Sequence, residues 1–189
     1  GDVWRINDEQ KREVFFIVVL MQTFANVMFY FNQYDINNDE QSIQTGLNDW
    51  LNRGNRDEIN SKLIEVVQLD VSKSYIALFQ LENDDLGYPH LNKGLNGKFK
   101  MEHSVHGTNG ISYEEIKTNR GMYGILFGKN SNHKIDHISA ELIHEEFSFT
   151  SDVSEDEVFV KYKKLPSQFK QTFPAVLTYY DENNNPLNN

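Results

Sequence analysis

Cysteine is absent from the 189 residues, which removes disulfide staples, thiolate nucleophiles and Cys-ligated zinc together and leaves the redox compartment open. Positive charge is scarce. Eighteen Lys+Arg face 28 Asp+Glu, a formal charge of −10, the wrong sign for a partner whose affinity depends on neutralising phosphates. Nucleic acid is not an expected ligand. The recurrent catalytic signatures are missing too: there is no G-x-S-x-G elbow and no S-x-x-K, and the glycines lie in hairpin-like contexts rather than in a G-x-G-x-x-G or phosphate-binding loop. Serine nucleophiles and nucleotide binding therefore have no foothold. No repeat with a period of roughly 20–50 residues is visible.

What is present is enough to fold. Hydrophobic residues make up 39%, aromatics 13% and charged residues 24%, proportions of a globular chain and not of a disordered polyelectrolyte. At this length about 70% of the unfolded surface can be buried, in one domain or one domain plus a small appendage. The apolar residues are unevenly spread. Mean hydropathy is −0.60, yet Val14 to Phe31 reads VFFIVVLMQTFANVMFYF, with only Gln22, Thr23 and Asn26 polar. Lacking Gly and Pro, it predicts one continuous helix. Its 18 residues rise about 27 Å, close to the ~30 Å hydrocarbon thickness of a bilayer.

Arg5, Lys11 and Arg12 lie just before this segment and the first basic residue after it is Arg53. That asymmetry places the N-terminus in the cytoplasm and the remainder outside, with Tyr30 and Tyr34 at the outer interface. Two other accounts compete with a span. In a soluble bundle, Gln22 and Asn26 would form a narrow polar stripe on a helix otherwise buried all round. A secretory signal peptide fits less well, because Ala25-Asn26-Val27 is a poor cleavage site and the run is long. The chain divides accordingly into residues 1–34, a hydrophobic helix and candidate anchor, and residues 35–189, an α+β domain.

From Asp39 to Val67, Ile43, Leu47, Trp50, Leu51, Ile59, Leu63 and Val66 recur mostly at helical steps, predicting two helices, or one broken at Gly54-Asn55, with Asp57-Glu58 near the start of the second piece. Beyond Ser72 the period becomes two. Strands are expected at Ser74–Leu81, Gly87–Asn92, Lys98–His103, Ile111–Thr118, Met122–Gly128, Glu157–Leu165 and Ala175–Asp181. Ile135–Thr150 also fits a helical face but reads as strand beside such neighbours. Asn96-Gly97 suits a type I′ hairpin, and Thr118-Asn119-Arg120-Gly121 a short loop with a left-handed glycine. The fold class expected is α+β, N-terminal helices followed by a mainly antiparallel β meander or sandwich-like domain, with no parallel pairs because the linking segments are short.

Three groups of stretches carry a resemblance: Ser72-Lys73-Ser74-Tyr75-Ile76-Ala77-Leu78-Phe79 with Leu86-Gly87-Tyr88 and the hairpin from Lys93 to Lys100; Ile116 to Tyr123 leading to Phe127-Gly128-Lys129-Asn130; and Tyr180 to Asn185. Together, over residues 12 to 186, they resemble small membrane-anchored proteins of uncharacterised function from Gram-positive, spore-forming bacteria. The resemblance implies a short basic N-terminus and a single span preceding an extracytoplasmic domain of mixed helix and antiparallel strands. Its motifs are turn and strand signatures, so it supplies no functional residues.

Candidate chemistry is thin. His137, Glu141 and Glu145 would share a face of a strand, or align at i, i+4 and i+8 of a helix, and either arrangement offers metal ligands; charged residues alternating with apolar ones equally describe a solvated face. His103 and His106 have a spacing used by helical zinc sites, but on a strand they face opposite ways. Asp35-Ile-Asn37-Asn-Asp39 opens like a calcium loop, then places Glu40 where glycine belongs and Gly46 where a bidentate Glu belongs, so a linker or helix cap accounts for it better. Asp84-Asp85 and Asp152 to Glu157 read as solubilising acidic loops, and Glu114-Glu115 and Glu145-Glu146, adjacent on strands, diverge. The expectation is therefore no catalytic residue, no cofactor and no metal site.

Two functional readings from different classes stand ahead of a third, an envelope hydrolase using His137, Glu141 and Glu145 on a metal. The leading one is a non-enzymatic extracytoplasmic module held at the membrane by Val14–Phe31, touching another envelope protein. The other is a soluble small-molecule-binding domain with an apolar pocket between helices and a curved sheet, lined by aromatics such as Phe79, Tyr88, Phe99, Tyr113, Tyr123 and Phe127.

Overall fold

The computed structural model describes residues 7–54, 58–108 and 110–187. It opens with α1 (Asp8–Asn32), unbroken across the apolar run and started by a capping box in which Asn7 and Gln10 each satisfy the other's backbone N–H. Then follow α2 (Glu40–Asn52), β1 (Ser61–Gln68), β2 (Ser74–Leu81), β3 (Leu86–Lys93), β4 (Phe99–Thr108), β5 (Ile111–Thr118), β6 (Gly121–Lys129), β7 (His137–Leu142), β8 (Ser148–Asp152), β9 (Val158–Lys164) and β10 (Ala175–Tyr180). The strands form three sheets, ordered β1-β2-β3-β4, β5-β6-β9 and β10-β7-β8. Every strand pair among the described residues is antiparallel. The fold is α+β, helices first and antiparallel sheet after.

Three apolar clusters order the layers. Ile43, Leu47 and Leu51 of α2 pack on Leu63, Ala77, Phe79, Leu91 and Phe99, one face of the first sheet. The opposite face, through Ile76, Leu78, Leu86 and Tyr88, meets Ile116, Tyr123, Ile125 and Phe127 of the second sheet. That sheet's other side presents Tyr113, Leu126 and Phe159 to Ile138, Ala140, Leu142 and Phe149 of the third. The sequence of layers is helix, sheet, sheet, sheet. Strands covered on both faces need apolar side chains at successive positions, which is why Ile76 to Phe79 and Ile125 to Phe127 run uninterrupted. The six aromatics proposed as a pocket lining are all buried in these clusters.

Several expectations need correction. The second helical piece is strand β1, although Ile59, Leu63 and Val66 keep helical spacing. A register shift between Leu63 and Glu65 puts an extra residue into the strand, and such a bulge destroys the strict alternation by which strands are recognised. Asn55 and Asp57 lie outside the described residues. Ile135–Thr150 resolves into β7 and β8 joined by a turn at residues 143–147, since a strand partner exists on each side of β7. The Asn96-Gly97 turn is not type I′. Gly97 donates to the Gly94 carbonyl and Gly94 to that of Lys98, and Gly97 at φ 78° has positive φ where Asn96 does not, the pattern of a type I turn closed by a glycine bulge. Gly121, at φ 124°, closes the two-residue loop between Thr118 and Gly121.

Because a β-branched residue is strained at positive φ, Gly97→Val is expected to destabilise the domain by roughly 1–2 kcal/mol. The space around the position is open, so the effect is purely conformational, and an unchanged urea midpoint would contradict it.

Candidate functional site

The feature that sets this chain apart is α1. None of its residues is buried, and it exposes Phe15, Phe16, Phe24 and Phe29 by 62–69%. Its apolar window has a hydropathy of 2.0, long and apolar enough to cross a membrane. A bundle-core helix would bury such a surface. The polar interruptions are partly satisfied within the helix: Gln22 Nε2 donates to Asn26 Oδ1 at 3.4 Å and Thr23 Oγ1 to the Val19 carbonyl at 2.8 Å, which lowers the cost of placing them in hydrocarbon.

The helix is tied to the domain just past its C-terminus. Asn96 Nδ2 donates to the Tyr34 carbonyl at 3.0 Å. Ile36 and Phe99 exchange backbone hydrogen bonds of 3.2 and 2.7 Å. A Cβ on Gly94 would lie 2.6 Å from the Tyr34 ring, so only glycine lets that ring approach the β3–β4 hairpin so closely. Asp39 then caps α2, accepting from Ser42 N and Oγ at 2.8 and 2.9 Å. The calcium-like Asp35 to Asp39 stretch is a linker and helix cap.

The other residues singled out from sequence do not assemble. His137 and Glu141 lie on β7, but Glu145 lies beyond the strand end, so the helical alignment does not exist. His137 Nδ1 is 2.7 Å from Asp136 Oδ2 and its ring stacks on Tyr180 at 4.8 Å. Glu145 instead accepts the backbone N–H groups of Lys170 and Gln171, bonds that hold its carboxyl below the usual range. His103 and His106 pair with His90 and Gly87 along β4. The acidic loops close their own turns: Asp152 accepts from Ser154 at 2.7 and 2.9 Å and Asp85 from Asn83 Nδ2 at 2.8 Å, while the Asp84 carbonyl receives the Lys129 ammonium from the end of β6. Among the described residues no group of three or more His, Asp or Glu is placed to hold a metal ion.

One buried group escaped the sequence reading. His90 is 7% exposed, between Ile76 of β2 and His103 of β4, and its Nε2 has no hydrogen-bond partner. Burial first, then the neighbouring His103, press its pKa down to about 4, against the opposite pull of Glu102. A lone histidine in an apolar strand carries no local signal of this. A shallow groove of about 390 Å³ also runs between the start of α2 and β1, lined by Ile43, Leu63, Ile64, Val66 and Tyr75 with an acidic rim of Asp39, Glu40 and Glu65. Comparison of the chain with protein-family models, curated proteins and solved structures finds no match.

Proposed function

We propose that this chain is a single-span membrane protein whose α+β domain lies outside the cell and acts without catalysis, as an interaction module for another envelope protein. The observation that carries the reading is the fully unburied apolar surface of α1, because an exposed patch of that extent in water promotes aggregation and in lipid is solvated. The Lys/Arg asymmetry across the helix supports the orientation. A place among small anchored proteins of Gram-positive spore formers, the family the strand and turn signatures resemble, is part of this proposal.

The test is retention in membranes after alkaline extraction, with protease accessibility for sidedness and intact length to separate an anchor from a cleaved signal segment. Val18→Lys is expected to abolish retention, since a lysine near the middle of a span costs about 3 kcal/mol, while Val18→Leu is retained. The domain should remain folded in both, because α1 adds no buried residue to it. Equal retention of the lysine variant and the parent would sink the anchor.

A further inference from the structure

The loops that meet at the Tyr34 end of the first two sheets form a mainly basic surface. The β1–β2 turn and the β3–β4 hairpin lie at the same end of the first sheet, joined by a hydrogen bond from Lys93 N to the Lys73 carbonyl at 2.8 Å. Lys73 N in turn donates to Asn119 Oδ1 at 3.0 Å, which brings in the β5–β6 loop with Arg120. Lys164, at the end of β9, lies against Gly121 of that same loop. Lys73, Lys93, Lys98, Arg120 and Lys164 thus share one end of a chain whose formal charge is −10. None of the five is paired with a carboxylate among the described residues.

Three acids lie nearby among the described residues, and Glu102, close enough to Tyr34 to act on its hydroxyl, is paired with Lys100 at 3.4 Å. Asp70 is held by the hydroxyls of Tyr123 and Tyr162 at 2.9 and 3.4 Å, and the exposed Asp35 follows Tyr34. Two apolar side chains project from the turns with nothing over them: Val71, 79% exposed, and Leu95, 76% exposed. The far end has the opposite character. Lys129 reaches the Asp84 carbonyl there and Asn130 N donates to the Glu157 carbonyl, so Glu82, Asp84, Asp85, Glu155 and Glu157 gather at that end.

We infer that this basic end is a membrane-contact surface, which rests on the reading of α1 as a span. Its occupant is a bilayer surface bearing anionic headgroups, and the grounds are position and charge. Tyr34, placed just past the end of the apolar helix, is fastened to the hairpin that carries Lys93, Leu95 and Lys98, so a bilayer around α1 begins where this surface lies. Lysine and arginine side chains reach headgroup phosphates while Leu95 and Val71 enter the interface between them. The acidic far end is repelled by the same surface, so the charge separation orients the domain and does not merely attract it.

The experiment uses the full chain reconstituted into vesicles, and the absence of cysteine allows single-site labelling. An environment-sensitive fluorophore is attached at L95C, or at E155C as the far-end control, in vesicles of phosphatidylcholine alone and of phosphatidylcholine mixed with phosphatidylglycerol. With phosphatidylglycerol at low salt, the probe at position 95 should be blue-shifted and shielded from iodide and the probe at 155 should remain accessible. High salt should reverse the shielding. The pair Lys73→Gln and Lys98→Gln, the first exposed and the second half-buried, should lower the ratio of engaged to free domain roughly 25-fold, about fivefold per cation removed. Equal iodide access at 95 and 155, or the same shielding in both lipid mixtures, overturns the contact surface while α1 remains inserted. Loss of the parent chain on alkaline extraction overturns the anchor and this surface with it.

Discussion

Gly87→Ala is expected to be among the most damaging methyl additions in the domain, lowering stability by about 3 kcal/mol. A Cβ there would meet the Val105 carbonyl oxygen, the Cβ of His106 at 2.6 Å and Cζ of Phe79 at 2.7 Å. The first two belong to the neighbouring strand β4, whose pairing with β3 slips by one residue beside Gly87. A backbone that close has no soft mode by which to retreat. Either β3 and β4 separate, weakening their hydrogen bonds, or Phe79 leaves a position where it is fully buried against α2. For a chain of this size the loss corresponds to a fall of roughly 6–12 °C in Tm. Gly110→Ala is the control, because its added methyl meets nothing within 4 Å. Matching melting curves for the two variants would show that the close approach at Gly87 is not a stability determinant.

The second large effect is acid destabilisation through His90. In the folded protein the ring is neutral down to a pKa of about 4, against 6.5 for the free side chain. The unfolded chain therefore binds a proton that the folded chain refuses. Stability falls as pH drops from about 6.5 towards 4 and levels off below, a total of about 3 kcal/mol from this group. Protonation in place would put a charge, with no acceptor for its Nε2, between two strands and 5.3 Å from the ring of His103. His90→Leu should remove this acid limb. Urea midpoints at pH 7 and pH 4.5 provide the check, and parent and variant losing the same stability over that interval would refute the assignment. Acidic side chains with lowered pKa, such as Asp152 and Asp181, held down mainly by Ser154 and by Asn185, titrate at lower pH and so act outside most of this window.

Much of the architecture was legible because it is written in local patterns. The unbroken apolar run of α1, the alternation of β5 and the glycines at 97 and 121 each act within a window of a few residues, where helix propensity, period and positive φ decide the outcome. The failures have equally local causes. In β1 the bulge after Leu63 removed the alternation, so three- and four-residue spacing passed for a helix. At Asn96 the dipeptide fitted a type I′ turn, but the hairpin had room for a type I turn closed by Gly97.

Where residues distant in sequence meet was not legible at all. His90 acquires its character first from burial between β2 and β4 and then from His103 across the ladder, Gly87 from Phe79 and β4, and Tyr34 from Gly94 and Asn96. Lys73, Lys98, Arg120 and Lys164 lie on four separate segments, and the sequence records only that they are few. The sequence by itself determined a helix fit for a bilayer and a succession of antiparallel strands, since period and turn chemistry are properties of neighbours along the chain. Only the tertiary structure decided that the ten strands among the described residues divide into three stacked sheets, with basic turns of the first two gathered beside the end of that helix, because strand partners and loop juxtapositions follow from long-range packing that no local window contains.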